Sequence, residues 1–306
     1  NKFQKLLIFE ILNTEIFNLK DFLQINNYMK KGKYLITGCA GFIGSNLVKK
    51  LYKKYKLILV DDLSAGSINN LPKLLRKKLI RKKIQNIKNL NTKKLNGIFH
   101  FAAQSSVPLS LVNFYESSNN NLKSSLKVFQ LSKKFSAPVV YASSAAVYGK
   151  LPIGSDKKNR FSITSPYAQD KLTIEHYAKI LFEIYKIPSI GLRMFNVYGP
   201  GQQLYRIIPR TILFAKTGRK LQLHGGGHSV RSFVHIKDVV DATLRVAEYG
   251  IPGETYHIST RETVSIRGLV EQICVSMEIP FKEFVEVADE RLGKDEAYLL
   301  NSQKIR

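Results

Sequence analysis

The chain has no tryptophan, two cysteines and three methionines in 306 residues, and only 23 acidic side chains stand against 48 lysines and arginines. Cys39 and Cys274 cannot make a disulfide framework, and Cys39 stands inside a glycine turn, so the chain reads as a reduced, cytoplasmic protein. There is no apolar run of 18 or more residues. The longest early stretch, Leu6 to Leu12, is interrupted by Glu10, so neither a membrane span nor a signal peptide is expected. Glycine and proline are not in excess, which excludes collagenous and low-complexity classes. No internal repeat is present.

The shortage of acid leaves a formal net charge of +25. Such an excess can serve a polyanion partner such as RNA or an acidic membrane. Here the basic runs are dispersed (Lys49-Lys50, Lys53-Lys54, Arg76-Lys77-Lys78, Arg81-Lys82-Lys83, Lys93-Lys94) and carry no interleaved aromatic stacking platform. The expectation is charge spread over solvated faces, with no nucleic acid and no membrane as partner. The excess would still attract a substrate carrying two phosphates.

What the chain does have is a repeating strand–turn–helix pattern and a globular hydrophobic content of 44%. Tyr34 to Thr37 is a buried-strand run ending in a glycine turn. Ile43 to Tyr55 has helical spacing, with Leu47, Val48 and Leu51 on one face. Strands are expected at Lys56–Val60, Gly97–Phe101, Pro138–Ala142 and Ile190–Arg193, and helices at Asn113–Phe135 and Ser165–Tyr185. Residues 63–96 are basic and weakly patterned. This alternation predicts an α/β fold, a doubly wound parallel sheet with right-handed connections and a smaller C-terminal substrate lobe. Residues 30–194 are expected to form the dinucleotide-binding domain. Residues 195–306 should form the substrate lobe, with part of 232–262 returning to the first domain. Residues 1–29 read as an extension outside the fold, Met29 being a better start than Asn1. The end at Arg306, inside a charged pattern with no closing helix, reads as that of a fragment.

Two clusters carry chemistry. In Thr37-Gly38-Cys39-Ala40-Gly41-Phe42-Ile43-Gly44, between a strand and a helix, Gly38 can make the tight turn. Gly41 can let the backbone approach a pyrophosphate, and Gly44 can let the helix pack closely. The first N–H groups of the helix, from Phe42 and Ile43 on, then face the phosphates. Asp61 ends the second strand about 20 residues on, where a carboxylate accepts from ribose hydroxyls and repels a 2′-phosphate. NAD is therefore expected over NADP, with Asp62 as the neighbouring alternative. Tyr167 and Lys171 are four apart on one helix face. A phenol of pKa near 10 is a poor base at neutral pH, and lowering it by roughly 3 units takes about 4 kcal/mol. A neighbouring ammonium and an oxidised nicotinamide ring are expected to supply that, so that Tyr167 can take a proton from a substrate hydroxyl as hydride leaves. His100 lies within a strand-end pattern and is expected to be structural.

Together these motifs resemble the extended short-chain dehydrogenase/reductase superfamily, and within it the NAD-dependent nucleotide-sugar epimerases and dehydratases. TGxxGFIG, the YxxxK pair, Arg193-Met194-Phe195-Asn196-Val197-Tyr198-Gly199-Pro200 and Gly225-Gly226-Gly227 to Arg231-Ser232-Phe233 occur in the family's order. The resemblance implies that Ser144, with Ser143 as alternative, hydrogen-bonds the reacting hydroxyl and that Lys171 holds the nicotinamide ribose. It implies that Ala102, in His100-Phe101-Ala102-Ala103, lets the cofactor pass over the sheet edge. Asn196, Arg231 and Arg291 become diphosphate contacts, and Tyr298 a residue that narrows the sugar pocket. No metal is implied. The family's adenine-contacting Asp-Ile pair is replaced here, the nearest match being Asn86-Ile87. Ser232 and Lys294 stand where the family has Asp. Dehydratases resemble T-D-E-V-Y-G where this chain has Ser144-Ala145-Ala146-Val147-Tyr148-Gly149. With no acid or base at 145 and 146, the resemblance implies C4 epimerisation of a UDP-hexose through a 4-keto sugar, by a homodimer pairing helices 113–135 and 166–185. A dehydratase or another epimerase is the alternative, and a non-catalytic dinucleotide- or RNA-binding protein a distant one.

Overall fold

The computed structural model describes residues 29–149, 153–155, 160–289 and 297–305. The first half runs β1 (Lys33–Thr37), α1 (Phe42–Leu51), β2 (Lys56–Val60), β3 (Leu79–Ile80), β4 (Gly97–His100), α2 (Val107–Val112), α3 (Phe114–Phe135) and β5 (Val139–Ser144). It continues through β6 (Ile153–Ser155), α4 (Pro166–Tyr185), β7 (Ser189–Met194), β8 (Val197–Tyr198), α5 (Ile207–Lys216), β9 (Leu221–His224), β10 (Val230–Arg231) and β11 (Val234–His235). The last elements are α6 (Ile236–Tyr249), β12 (Thr255–Ile258), β13 (Val264–Ser265), α7 (Ile266–Ser276), α8 (Phe281–Phe284), β14 (Val285–Ala288) and β15 (Ala297–Asn301).

Seven strands form one parallel sheet in the order β12-β7-β5-β4-β1-β2-β3. Successive side chains of a strand point to opposite faces, so each strand here must be apolar on both. Ile36, Phe99 and Val140 pack on one face with Leu47, Val48 and Leu51 of α1 and Val239, Val240 and Leu244 of α6. Leu35, Ile98, Val139 and Tyr141 pack on the other with Val128, Phe129 and Leu131 of α3 and Ile174 and Ala178 of α4. The sheet is therefore doubly wound and Rossmann-like. Met29 packs against the first of these clusters.

Helix ends follow local chemistry. Asn113 caps α3 by accepting from the Glu116 N–H, and Ser165 caps α4 by accepting from the Ala168 N–H, with Pro166 in the first turn. Between residues 63 and 96, where no periodicity is visible in the sequence, short 3-10 turns surround the two-residue β3. The strands β13-β10-β15 from beyond β7 and β6 from before it form a small second sheet and β14 pairs with β9, while β12 returns to the edge of the central sheet beside β7. Cys39 and Cys274 are both buried and free. Among the described residues no helix is long and apolar enough to cross a membrane.

Candidate active site

Parallel strands deliver the ends of β1, β4 and β5 to one edge of the sheet, where ligands bind in such folds. β4 lies between the other two, so their ends are about 10 Å apart at ordinary strand spacing. The glycine turn leaves β1 at Gly38, whose φ of +66° suits a residue without a side chain. A Cβ on Gly38 would lie 2.6 Å from the Ala102 nitrogen, so the turn and the end of β4 touch through their backbones. A Cβ on Gly44 would lie 2.1 Å from the Gly38 carbonyl oxygen, which is why α1 can start so close to β1. A Cβ on Gly41 would meet only that oxygen, at 3.2 Å, and otherwise open space. Gly41 is also the N-cap of α1, with no side-chain cap and no acid in the first turn, so Phe42 and Ile43 begin a helix ready to receive an anion.

Asp61 is buried at the end of β2, its Oδ2 accepting from the Ala40 N–H at 2.8 Å and its Oδ1 from the Leu63 N–H at 2.8 Å. It thus braces the glycine turn, and burial outweighs those two bonds to raise its carboxyl above the ordinary value. Asp62 is a turn former: its Oδ1 accepts from both the backbone and the hydroxyl of Ser64. Asn86 ends an exposed 3-10 turn and Ile87 points into the core, so that pair forms a packed turn. A bare helix N-terminus beside an open glycine face, with a buried carboxylate at the next strand end, fits a dinucleotide.

Ser144 ends β5 and Tyr167 and Lys171 share the first two turns of α4, and the fold brings all three together. The Ser144 hydroxyl accepts from the Ala146 N–H at 3.1 Å and stands close enough to the Tyr167 phenol to pull its pKa down. The Lys171 ammonium donates to the Ala142 carbonyl at 2.7 Å and lies 5.8 Å from the centre of the Tyr167 ring. The expectation of a phenol made acidic by this lysine needs correction for the protein by itself. Burial pushes the Tyr167 phenol up, the Ser144 hydroxyl and the Arg206 guanidinium pull it down, and Asp170 raises it again. Burial also brings Lys171 down to about 8, against the pull of Asp170 and Glu175. Lowering the phenol therefore requires positive charge beyond what these side chains supply.

His100 is structural, as expected. Thr37 Oγ1 lies 2.7 Å from its Nδ1 and Ser125 Oγ 3.1 Å from its Nε2. Ser125 donates onward to the Asn121 carbonyl, so Nε2 carries the proton and the ring is neutral. Burial first, and then the Lys171 charge, hold its pKa down at about 3. Asn121, which sequence reasoning passed over among three consecutive asparagines, clamps the site from α3. Its amide donates to the Gln104 carbonyl and to Asp170, and its oxygen accepts from the Gln104 N–H. Ser110 of α2 accepts from the Tyr167 N–H at 3.2 Å.

The substrate-side residues are more scattered. Asn196 has a φ of +40° and donates to the Ser232 carbonyl at 3.1 Å, tying the segment after β7 to the Arg231 segment. Asn46 of α1 donates to the Pro200 carbonyl at 3.1 Å, which brings this loop against the glycine-turn helix. Arg231 lies on β10, half-buried, donating to the Val230 carbonyl, and Tyr298 is its backbone partner on β15. Ser232 is buried and shares a hydrogen bond with Ser259. Arg291 lies outside the described residues. Among the described residues no cluster could hold a metal ion.

Known proteins bear on this geometry. At the level of sequence, a dTDP-D-glucose 4,6-dehydratase of Bos taurus is 32% identical over 291 residues, covering 89% of this chain and 82% of its own. Among solved structures, the UDP-N-acetylglucosamine 4-epimerase of Methanobrevibacter ruminantium M1 superposes with a TM-score of 0.84 at 29% identity, covering 90% of this chain and 91% of that one. The dTDP-glucose 4,6-dehydratase of Streptomyces venezuelae, solved with NAD bound, has a TM-score of 0.82 at 28% identity and 89% coverage of each chain. The model of the NAD dependent epimerase/dehydratase family matches residues 34–259, and the chain belongs to that family.

Proposed function

We propose that the protein is an NAD-dependent nucleotide-sugar epimerase, acting at C4 of a nucleoside-diphosphate hexose, with a UDP-hexose as the favoured substrate. The turn from Gly38 to Gly44, Asp61 and Lys171 would hold NAD, which would supply a reversible hydride acceptor for C4. The chain's residues handle everything else. Tyr167 takes the proton of the C4 hydroxyl as hydride leaves and gives it back when hydride returns to the opposite face. Ser144, beside Tyr167, aligns that hydroxyl and shares its proton. Lys171 holds positive charge 5.8 Å from the phenol ring and orients the nicotinamide ribose. Asp61 takes the adenosine ribose, and the turn from Gly38 to Gly44 takes the pyrophosphate. Asn196, Arg231 and Arg291 take the diphosphate, and Tyr298 bounds the sugar.

The observation that carries the choice of epimerisation is the segment beside Ser144. Eliminating water from C5 and C6 needs an extra acid and an extra base. Ala145 is buried and Ala146 half-buried at the start of the turn that follows Ser144, and neither can move a proton. The likeness to 4,6-dehydratases in overall sequence supports the second reading, dehydration. Incubation with a panel of UDP- and dTDP-hexoses, with products identified by NMR, separates the two. A C4 epimer is expected, and accumulation of a 4-keto-6-deoxy sugar would defeat the epimerase reading.

We also propose a homodimer that pairs α3 and α4 with their copies. Leu126 of α3 and Tyr177, Ile180, Ile184 and Tyr185 of α4 are all exposed apolar side chains, with Ile184 64% exposed. A second copy would cover them.

A further inference from the structure

Behind Ser144 lies a buried polar network with no part in the chemistry described so far. Ser143, Arg193 and His257 are direct neighbours across three strands, Ser143 pairing with Arg193 between β5 and β7, and Arg193 with His257 between β7 and β12. Glu175 reaches this rung from α4, one turn beyond Lys171. It accepts from the Ser143 hydroxyl and from two nitrogens of Arg193, Nε at 2.9 Å. Arg193 also donates to the Tyr148 hydroxyl, which itself donates to His257 Nε2 at 2.6 Å. His257 Nδ1 donates to the Asn301 carbonyl at 2.7 Å, at the end of β15. Glu175 and Arg193 are each under 10% exposed.

We propose that Glu175 is a positioning residue for the acid–base group: through the Ser143–Glu175–Arg193 rung it fixes the end of β5, which presents Ser144 and the Ala142 carbonyl to Tyr167 and Lys171. This rests on the reading of Tyr167 as the acid–base residue. The geometry argues for it on both sides of the strand end. Lys171 and Glu175, four apart on one helix face, bond consecutive residues of β5, Lys171 the Ala142 carbonyl and Glu175 the Ser143 hydroxyl. The carboxylate has a second effect, through charge. The groups that face Lys171 are Tyr167, Asp170 and Glu175 on its own helix, neutral His100 on β4 and the Ala142 carbonyl on β5; Arg193 on β7 faces Glu175. Burial disfavours the ammonium, and Asp170 and Glu175 oppose that. Removing the Glu175 charge should leave Lys171 neutral at a lower pH.

The test is Glu175→Gln, with the double variant Glu175→Gln/Arg193→Met as its partner. Breaking one side of a buried ion pair can prevent folding, whereas replacing both sides is often tolerated. The readout is an NMR titration of 13C-lysine-labelled protein, the Lys171 signal being assigned by its loss in Lys171→Arg. The parent should titrate near 8. Glu175→Gln should titrate at least about one unit lower, the size expected for one charge a helical turn away in a partly polarisable interior, and the double variant lower by less because it also removes the Arg193 charge. In turnover, the basic limb of the kcat profile should move down by the same amount with the sugar KM unchanged. Unchanged Lys171 midpoints in the folded variants would overturn the proposal. Failure of the underlying reading shows differently: normal turnover by Tyr167→Phe, or none by the parent on any nucleotide sugar, whatever Lys171 does.

Discussion

Gly41→Ala separates cofactor binding from folding more cleanly than any other change in the glycine turn. Gly41 has φ −73° and ψ 178°, which any residue adopts without strain. The new methyl would meet one atom, the Gly38 oxygen at 3.2 Å, a contact relieved by a shift of a few tenths of an ångström. Replacing glycine at a permitted conformation stabilises a chain by roughly 0.4–1 kcal/mol through the unfolded state, which offsets that shift. The melting temperature should therefore stay within a few degrees of the parent. NAD affinity should not. The methyl stands on the open face of the turn, where a pyrophosphate would have to approach the backbone. Losing one or two hydrogen bonds to a charged group costs about 1.5–3 kcal/mol each. At 1.4 kcal/mol per decade, the NAD dissociation constant should rise about ten- to ten-thousandfold. Gly44→Ala is the contrast: its methyl would sit 2.1 Å from the same oxygen, so stability and affinity should fall together. Calorimetric titration with NAD, paired with thermal unfolding of the same samples, reads both quantities. An NAD affinity of Gly41→Ala within about twofold of the parent would refute placement of the pyrophosphate on this turn.

Two further outcomes follow from buried groups and exposed ones. His100 and His257 are held neutral with pKa values near 3 against an ordinary 6.5, so the unfolded chain binds protons that the folded chain refuses. Stability is then full above pH 6.5 and falls as pH drops towards 3, by about 2 kcal/mol per histidine between pH 7 and pH 5. Urea unfolding at the two pH values should show a loss near 4 kcal/mol, and a loss under about 1 kcal/mol would mean that the imidazoles are not buried as described. The exposed apolar residues of α3 and α4 should make the protein sediment as a dimer, and Ile184→Glu with Ile180→Glu should convert it to a monomer. A monomeric parent would refute the pairing.

Much of this was legible in the chain because it is local. Alternating apolar strands, the glycine turn and the i, i+4 spacing of Tyr167 and Lys171 are encoded within a few residues of each other, whereas the strand order is not. The two-residue β3 is too short to leave a period in a basic stretch. The rung of Ser143, Glu175, Arg193, Tyr148 and His257 joins residues up to 109 positions apart, and no local pattern points to it. Asn121 could not be distinguished from its two neighbours until α3 was seen against α4. The phenol was the instructive difference. Spacing places a lysine near Tyr167, but burial, which only tertiary structure determines, raises the phenol in the protein by itself against the pull of Ser144 and Arg206.

The central claim is that hydride taken from C4 goes back to C4, with no proton chemistry at C5 or C6. UDP-hexose deuterated at C4 tests it in one NMR measurement of the product formed in ordinary water. The account predicts a C4 epimer with the deuterium still on C4 and no exchange elsewhere in the ring. Deuterium lost from C4, with solvent hydrogen at C5, would contradict it.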